Sequence, residues 1–383
     1  MKEILRFCES QGAWMRDTLE VLVRLESPTT DKAAVDRCGA ELERRLVVIG
    51  AHVQRLPRNH AGDHVLAEFG CGASQLLILG HFDTVWPVGQ LERMPLRVAD
   101  GRLYGPGSFD MKAGIVIGMT AARALYECGV PLARRLVMLW TSDEEIGSTS
   151  SRSTIEEEAR RSDAVFVLEP ALPGGAVKTM RKGCGEFELI VRGVAAHAGV
   201  DPGKGASAIH ELAHQIGILE QLGDIDRGVS INVGTISGGI RTNVIAEEAH
   251  ATIDVRVPAA VEAARIEAAI RGLRPRNPRT SLQLAGGIDR PPLERTPAVV
   301  RLFELARNVA AEIGVELEEG STGGGSDGNF TAALGVPTLD GLGAVGDGAH
   351  ALHEHVELEL LPMRAALLAE LIARCGHDNI GAE

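Results

Sequence analysis

The sequence predicts an α/β protein in which a mostly parallel sheet is covered by helices and the chain is interrupted by a small α+β insert. Three observations carry this. Continuous apolar runs at Leu76–Leu79, Leu136–Trp140 and Ala164–Leu168 are bounded by polar or turn residues, as strands buried on both faces should be. A helical segment, Met111–Tyr126, separates the first two runs and stops before Gly129 and Pro131, giving the strand–helix–strand order of a doubly covered sheet. After about Thr179 the pattern changes, and Glu186–Val191 and Ala249–Val257 alternate apolar with polar residues, as strands with one wet face do.

In Ala249–Val257, the residues Ala249, Ala251, Ile253, Val255 and Val257 take one face, and His250, Thr252, Asp254 and Arg256 the other. Helices are expected at about Gly205–Leu222 and Ala260–Leu273. These elements make a lid over residues 179–290, which divides the α/β domain into residues 1–178 and 291–383. The α/β pattern resumes at about Leu293, with Val336–Leu339 as a strand and Leu358–Cys375 as a closing helix.

The 383 residues suffice for two domains. Lys plus Arg number 39 against 52 Asp plus Glu, a formal charge of −13 with no basic run, which argues against a nucleic-acid partner. Six cysteines (Cys8, Cys38, Cys71, Cys128, Cys184 and Cys375) lie far apart with no CxxC pair, as expected of reduced, scattered thiols. Glu3, Arg6 and Glu9 occupy the stretch where a signal peptide needs an apolar core. No run approaches the ~18 apolar residues of a membrane span. A cytoplasmic protein without a membrane partner is expected.

In sheets of this kind ligands bind at the carboxyl ends of the strands. Acidic and histidine side chains cluster at those positions. His81 and Asp83 end the first strand, Asp110 opens the long helix, Asp143-Glu144-Glu145 follows the next strand, and Glu169 follows another. Near the carboxyl end comes Gly348-Ala-His350-Ala-Leu-His353-Glu354-His355. One such residue alone is an ordinary turn residue. Carboxylates crowded into one crevice repel, and a cation is the simplest way to hold them. Two histidines and three carboxylates suit a two-metal site of the zinc type. His210-Glu211-Leu-Ala-His214 fits the His-Glu-x-x-His zinc-protease pattern. Its helix is expected to bury Ile209, Leu212, Ala213, Ile216 and Leu219, leaving both histidines wet, and no third ligand accompanies them.

The motifs GHFDTV, GPGSFDMKAG, SDEEIGS, LEP, AAHAG, RTNVI…DVR, GGGSDG and GAHALHEHV occur in this order over roughly residues 75 to 360. At these residues the chain resembles the di-zinc exopeptidases, a family that includes glutamate carboxypeptidase, acetylornithine deacetylase, succinyl-diaminopimelate desuccinylase and the aminoacylases. It is most similar to glutamate carboxypeptidase. The resemblance implies two Zn²⁺ per subunit, with Co²⁺ or Mn²⁺ also able to fit. Asp110 would bridge both ions, His81 and Glu169 would complete one, and Glu145 and His350 the other. Asp83 would orient His81, and Glu144 would be the general base. The family pattern favours His350 over His353 as the ligand and places His353 on the surface.

The resemblance further implies that His197 reaches the partner subunit's site to stabilise an oxyanion, and hence a homodimer formed through the lid. Asn243 and Arg256 would bind a substrate carboxylate, although spacing alone favours an Arg256–Asp254 pair. Arg290 would read a second carboxylate, and the Gly323–Gly325 run, with Ser326 and Asp327, would line the site with backbone. The implied activity is hydrolysis of an amide next to a free carboxylate in a small peptide or N-acyl amino acid, with glutamate as the released residue. A same-fold N-acyl-amino-acid deacylase, a zinc protease in the lid and a non-catalytic binder are the alternatives.

Overall fold

The computed structural model describes residues 2–375. They form two units. The first comprises residues 2–179, 295–321 and 326–375, and the second residues 180–294 and 322–325. The glycine run at 322–325 thus clusters with the inserted segment, although sequence reading put it with the closing part of the α/β domain. Two contacts of the second unit explain this: the Lys182 N–H donates to the Thr322 carbonyl, and Arg181 Nη1 donates to the carbonyls of Gly324 and Gly325. Residues 291–294 follow because Arg181 and Leu293 exchange both backbone hydrogen bonds.

The first unit is built on a six-stranded sheet in the order His52–Leu56, His64–Phe69, Arg135–Thr141, Gln75–His81, Ser162–Val167, Thr338–Leu339. The last four strands run parallel, and His64–Phe69 is antiparallel to both of its neighbours. All seven residues of Gln75–His81 are buried. Their alternation sorts them onto two cores, as a period of two requires. Leu76 and Ile78 join Met138, Trp140 and Phe166 on one face. Leu77 and Leu79 join Val137, Leu139, Val165 and Val167 on the other.

The helix expected over Met111–Tyr126 spans Ala113–Glu127, because Asp110 and Met111 leave helical dihedrals in an irregular turn over Ser108–Lys112. The Asp110–Met111 peptide is cis. Helix and strand ends approach closely at Gly114, where a Cβ would run into the Leu168 carbonyl. Glycine there lets the Asp110 turn sit beside the residue that follows Leu168. Lys112, almost fully buried, donates from Nζ to the carbonyls of Leu22 and Leu25, each at 2.9 Å, and so satisfies the end of helix Gly12–Arg24. The closing helix begins at Leu361 rather than Leu358, after a separate short turn.

The second unit is an antiparallel four-stranded sheet in the order Ser230–Gly238, Glu248–Val257, Gly183–Arg192, Ser281–Arg290. Ala249, Ala251, Ile253, Val255 and Val257 all face its core with Phe187, Leu189 and Val191. Helix Ala208–Leu222 covers that face, capped by Ser207 Oγ accepting from the His210 N–H at 3.2 Å. It is rotated from the stripe read in the sequence: Ile209 is exposed and Glu211 and Gln215 are buried. The Glu211 carboxylate explains the rotation, because it accepts from the N–H groups of Arg276 and Asn277 and from Gln215 and Thr280. Among the described residues no helix is long and apolar enough to cross a membrane.

His64 is fully buried on its strand, with Nδ1 2.9 Å from Ser142 Oγ and Nε2 3.2 Å from Ser150 Oγ. Burial pulls its pKa below the ordinary 6.5, outweighing the opposing pull of Asp143. The unfolded chain therefore takes up a proton as pH falls below 6.5 while the folded chain resists it, and stability is lost on acidification. The slope is up to about 1.4 kcal/mol per pH unit. Urea unfolding at pH 7.5 and 5.5 should show a steeper loss in wild type than in His64→Gln.

Candidate metal centre and active site

Five segments of the first unit carry the metal-type side chains. His81 ends the Gln75–His81 strand, and Asp110 lies in the irregular turn before Ala113. Glu145 sits in a short turn after Arg135–Thr141, and Glu169 follows the Ser162–Val167 strand. His350 belongs to the turn that starts at Gly348, and its backbone is left-handed at φ +60, a region a non-glycine residue seldom occupies.

His81 Nε2 lies 3.2 Å from Asp110 Oδ1 and 3.5 Å from Glu169 Oε1. His350 Nε2 lies 3.4 Å from Asp110 Oδ2 and 3.3 Å from Glu145 Oε2. The two oxygens of Asp110 thus face different partners. Within the trio His81, Asp110 and Glu169, and again within Asp110, Glu145 and His350, the candidate ligand atoms lie within 4.8 Å of one another.

These residues fit a pair of divalent cations. Metal–ligand bonds of about 2.0–2.2 Å set two ligands of a tetrahedral ion roughly 3.3–3.6 Å apart, close to the four separations above. Among the described residues Glu145 Oε1 is buried without a hydrogen-bond partner, and a cation would satisfy it. Charge points the same way. Burial opposes ionisation of His81, yet Asp110, Asp83 and Glu169 raise its pKa well above the ordinary value. Asp110 and Glu145 push His350 up to about 10. Burial likewise opposes the Asp110 charge, but His350 and His81 hold that carboxyl well below the usual range. Burial raises Glu145, with His350 opposing. The cluster is short of positive charge and draws protons to make it up.

Asp83 is fully buried and reaches both sides of this cluster. Its carbonyl oxygen lies 3.1 Å from His81 Nδ1, closer than its carboxylate at 3.4 Å. With Nδ1 engaged, Nε2 faces Asp110 and Glu169. The carboxylate accepts from Thr29 Oγ1 at 2.6 Å and from the N–H groups of Glu144 and Glu145 at 3.3 and 3.2 Å. Asp83 therefore also holds the turn that carries Glu144, a half-buried side chain beside Glu145. Sequence reading missed this second task and the part of Thr29 in it, because residue 29 is remote from every motif.

The second unit holds the other sequence-predicted residues in two groups. His197 and Asn243 are neighbours, since the Ala198 N–H donates to the Asn243 carbonyl at 3.0 Å. His197 Nδ1 accepts from the N–H groups of Gly199 and Val200, both at 3.1 Å. A neutral ring so held carries its proton on Nε2. In the other group, Arg256 donates from Nε and Nη2 to Asp254 and from Nη1 to Cys184 Sγ at 2.6 Å. Arg290 is buried beside Gly325, where a Cβ would lie 3.0 Å from Arg290 Cδ and 3.1 Å from Cys184 Sγ.

Ser326 and Asp327 are buried in the first unit and bind other side chains there. Ser326 Oγ donates to Asp340 at 2.6 Å, and Asp327 accepts from Thr141 at 3.0 Å and from Ser148. Asp327 thus ties its turn to Thr141, the last residue of the Arg135–Thr141 strand, through side chains. Glu211 of the His-Glu-x-x-His segment is committed to its own loop, and among the described residues neither His210 nor His214 joins a metal-type cluster.

A sheet with acidic and imidazole side chains gathered at its strand ends, and the Glu144 carboxylate beside them, has the donor set of a metal-dependent hydrolase. The chain belongs to peptidase family M20/M25/M40, whose profile matches residues 77–374. It is 30% identical over 370 residues to carboxypeptidase G2 of Pseudomonas sp. (strain RS-16), covering 94% of this chain and 88% of that protein. It is also 30% identical over 379 residues to succinyl-diaminopimelate desuccinylase of Xanthomonas euvesicatoria, covering 94% and 99%. The fold matches aminopeptidase PepT from Bacillus cereus with a TM-score of 0.79 at 22% identity, over 97% of this chain and 99% of that one. It also matches the YXEP protein of Bacillus subtilis, described as a dinuclear metal-binding peptidase of family M20, with a TM-score of 0.69 at 14% identity over 96% and 98%.

His353 is 65% exposed, with Nε2 3.8 Å from Asp347, while His350 Nε2 points at two carboxylates. His350→Ala should therefore cut bound metal and lower kcat/KM by about 10²-fold or more, on the usual cost of losing a ligand-shell partner. His353→Ala should leave both near wild type. Metal content by elemental analysis and initial rates check this.

Proposed function

We propose that the protein hydrolyses an amide bond next to a free carboxylate and releases a carboxy-terminal amino acid, glutamate being our assignment. The observation that carries this is the pair of donor trios sharing Asp110 with Glu144 at their edge. The 30% identity to carboxypeptidase G2 supports the substrate class. An N-acyl-amino-acid deacylase is the second reading, favoured by the equal identity to a desuccinylase.

His81, Asp110 and Glu169 would hold one divalent cation, and Asp110, Glu145 and His350 the other, with zinc assigned and cobalt or manganese as substitutes. Such a pair supplies Lewis acidity towards the scissile carbonyl and lowers the pKa of an attacking water. Glu144 takes the water's proton and returns it to the leaving nitrogen. Asp83 keeps Glu144 placed by holding its amide. His197, contributed by a second subunit, donates from Nε2 to the developing oxyanion. Arg256 takes the substrate's carboxylate with Asn243, which lies beside His197 and would come with it from the second subunit, and Arg290 beside Gly325 takes a side-chain carboxylate.

A purified wild type and Glu144→Gln, both with metal content determined, should be compared on a panel of N-acyl-glutamates. Wild type should release glutamate, and Glu144→Gln should be slower by about 10²–10⁴-fold, the usual contribution of general acid–base catalysis, with bound metal unchanged. Cleavage of N-acetyl or N-succinyl amino acids without any acyl-glutamate activity would favour the deacylase.

Strand Ser230–Gly238 is an edge strand, and Ile236 and Ile240 are 67% and 81% exposed. An open edge with apolar side chains is suited to pairing with a second copy. Sedimentation should give a dimer for wild type and a monomer for the double variant I236E, I240E. A wild-type monomer overturns the role given to His197.

A further inference from the structure

Glu354, four residues after His350, is almost fully buried. Its carboxylate accepts four hydrogen bonds. Oε1 takes the N–H groups of Phe109 and Asp110 at 2.9 and 3.1 Å, and Oε2 takes the Gly107 N–H at 2.9 Å and the Trp86 indole N–H at 2.8 Å. Its own main chain joins in: the Gly105 N–H donates to the Glu354 carbonyl at 3.3 Å, and the Glu354 N–H donates to the Ala351 carbonyl at 3.0 Å.

Two loops meet at this side chain. One is the irregular turn that carries Asp110, whose dihedrals at Asp110 and Met111 are non-helical and whose Phe109 and Asp110 amides donate to Glu354. The other is the Gly348–Glu354 turn that carries His350 in a left-handed conformation. Gly348 keeps the second turn tight, since a Cβ there would stand 2.9 Å from the Glu354 Cα. Neither loop belongs to the six-stranded sheet, so the sheet does not fix their separation. A short carboxylate with all its oxygens engaged does.

We propose that Glu354 is a positioning residue that sets the spacing of Asp110 and His350, and hence the affinity of the second cation position. The inference rests on the two-cation reading above. An amide at residue 354 keeps the size but turns one acceptor into a donor facing N–H groups, so Gln is a disruptive replacement here.

Isothermal titration of the metal-free protein with Zn²⁺ tests this, alongside the absorption of the Co²⁺-loaded form and thermal unfolding without metal. Wild type should bind two ions. Glu354→Gln should bind the first with little change and the second 10–100-fold more weakly, the usual effect of losing a ligand's outer partner. In a His350→Ala background, Glu354→Gln should add little further loss at the second position, whereas a merely structural role would lower both affinities in either background. Trp86→Phe removes one donor without touching a ligand. It should weaken the second ion several-fold and decides the matter if Glu354→Gln does not fold. Two ions bound by wild type and by Trp86→Phe with equal affinities, or an equal loss at both positions in Glu354→Gln, overturns the inference. Fewer than two ions in wild type overturns the two-cation reading instead.

Discussion

Like charges crowded at the strand ends are the constraint on which the rest of this molecule depends. Asp110 comes within reach of Glu169 on one side and of Glu145 on the other in a partly buried space, with Asp83 bonded to the turn that carries Glu144 and Glu145. Such a cluster is costly in a low-dielectric setting unless positive charge or hydrogen-bond donors compensate. The surrounding structure supplies donors where it can. Asp83 is satisfied by Thr29 and two amides, and Glu354 by three amides and an indole. Among the described residues Glu145 Oε1 is left without a hydrogen-bond partner. The uneven satisfaction separates the carboxylates that brace the scaffold from those offered to an incoming cation.

Much of this was legible in the sequence. The three apolar runs are all strands of one sheet, because only a strand covered on both faces can be apolar without alternation. The alternating Ala249–Val257 run gave its core face residue by residue, since the period of two leaves no freedom. The family resemblance favours His350 over His353 as a ligand, and the structure places His350 Nε2 beside Asp110 and Glu145 while His353 faces Asp347.

What the sequence concealed was long-range bonding. The Ala208–Leu222 helix is turned by Glu211, whose partners lie some sixty residues away in a loop without apolar signal. Hydropathy counts Glu as wet, so the stripe was read one step off. Asp327 and Ser326 share a motif with the glycines yet serve a different unit, a split visible only once Arg181 is seen to hold Gly324 and Gly325. Thr29 reaches Asp83 across 54 positions and carries no pattern of its own.

The pairing of Arg256 with Asp254 on one strand has a thermodynamic meaning of its own. Any carboxylate approaching Arg256 competes with one that is covalently tethered two residues away and already bound through two nitrogens. A tethered competitor acts at a high effective concentration. A small monovalent acid in bulk solution therefore displaces it poorly, while a molecule anchored at several points gains the advantage of its own tether. For the carboxylate-binding role proposed for Arg256, this tether would favour a ligand anchored at several points over a lone carboxylate.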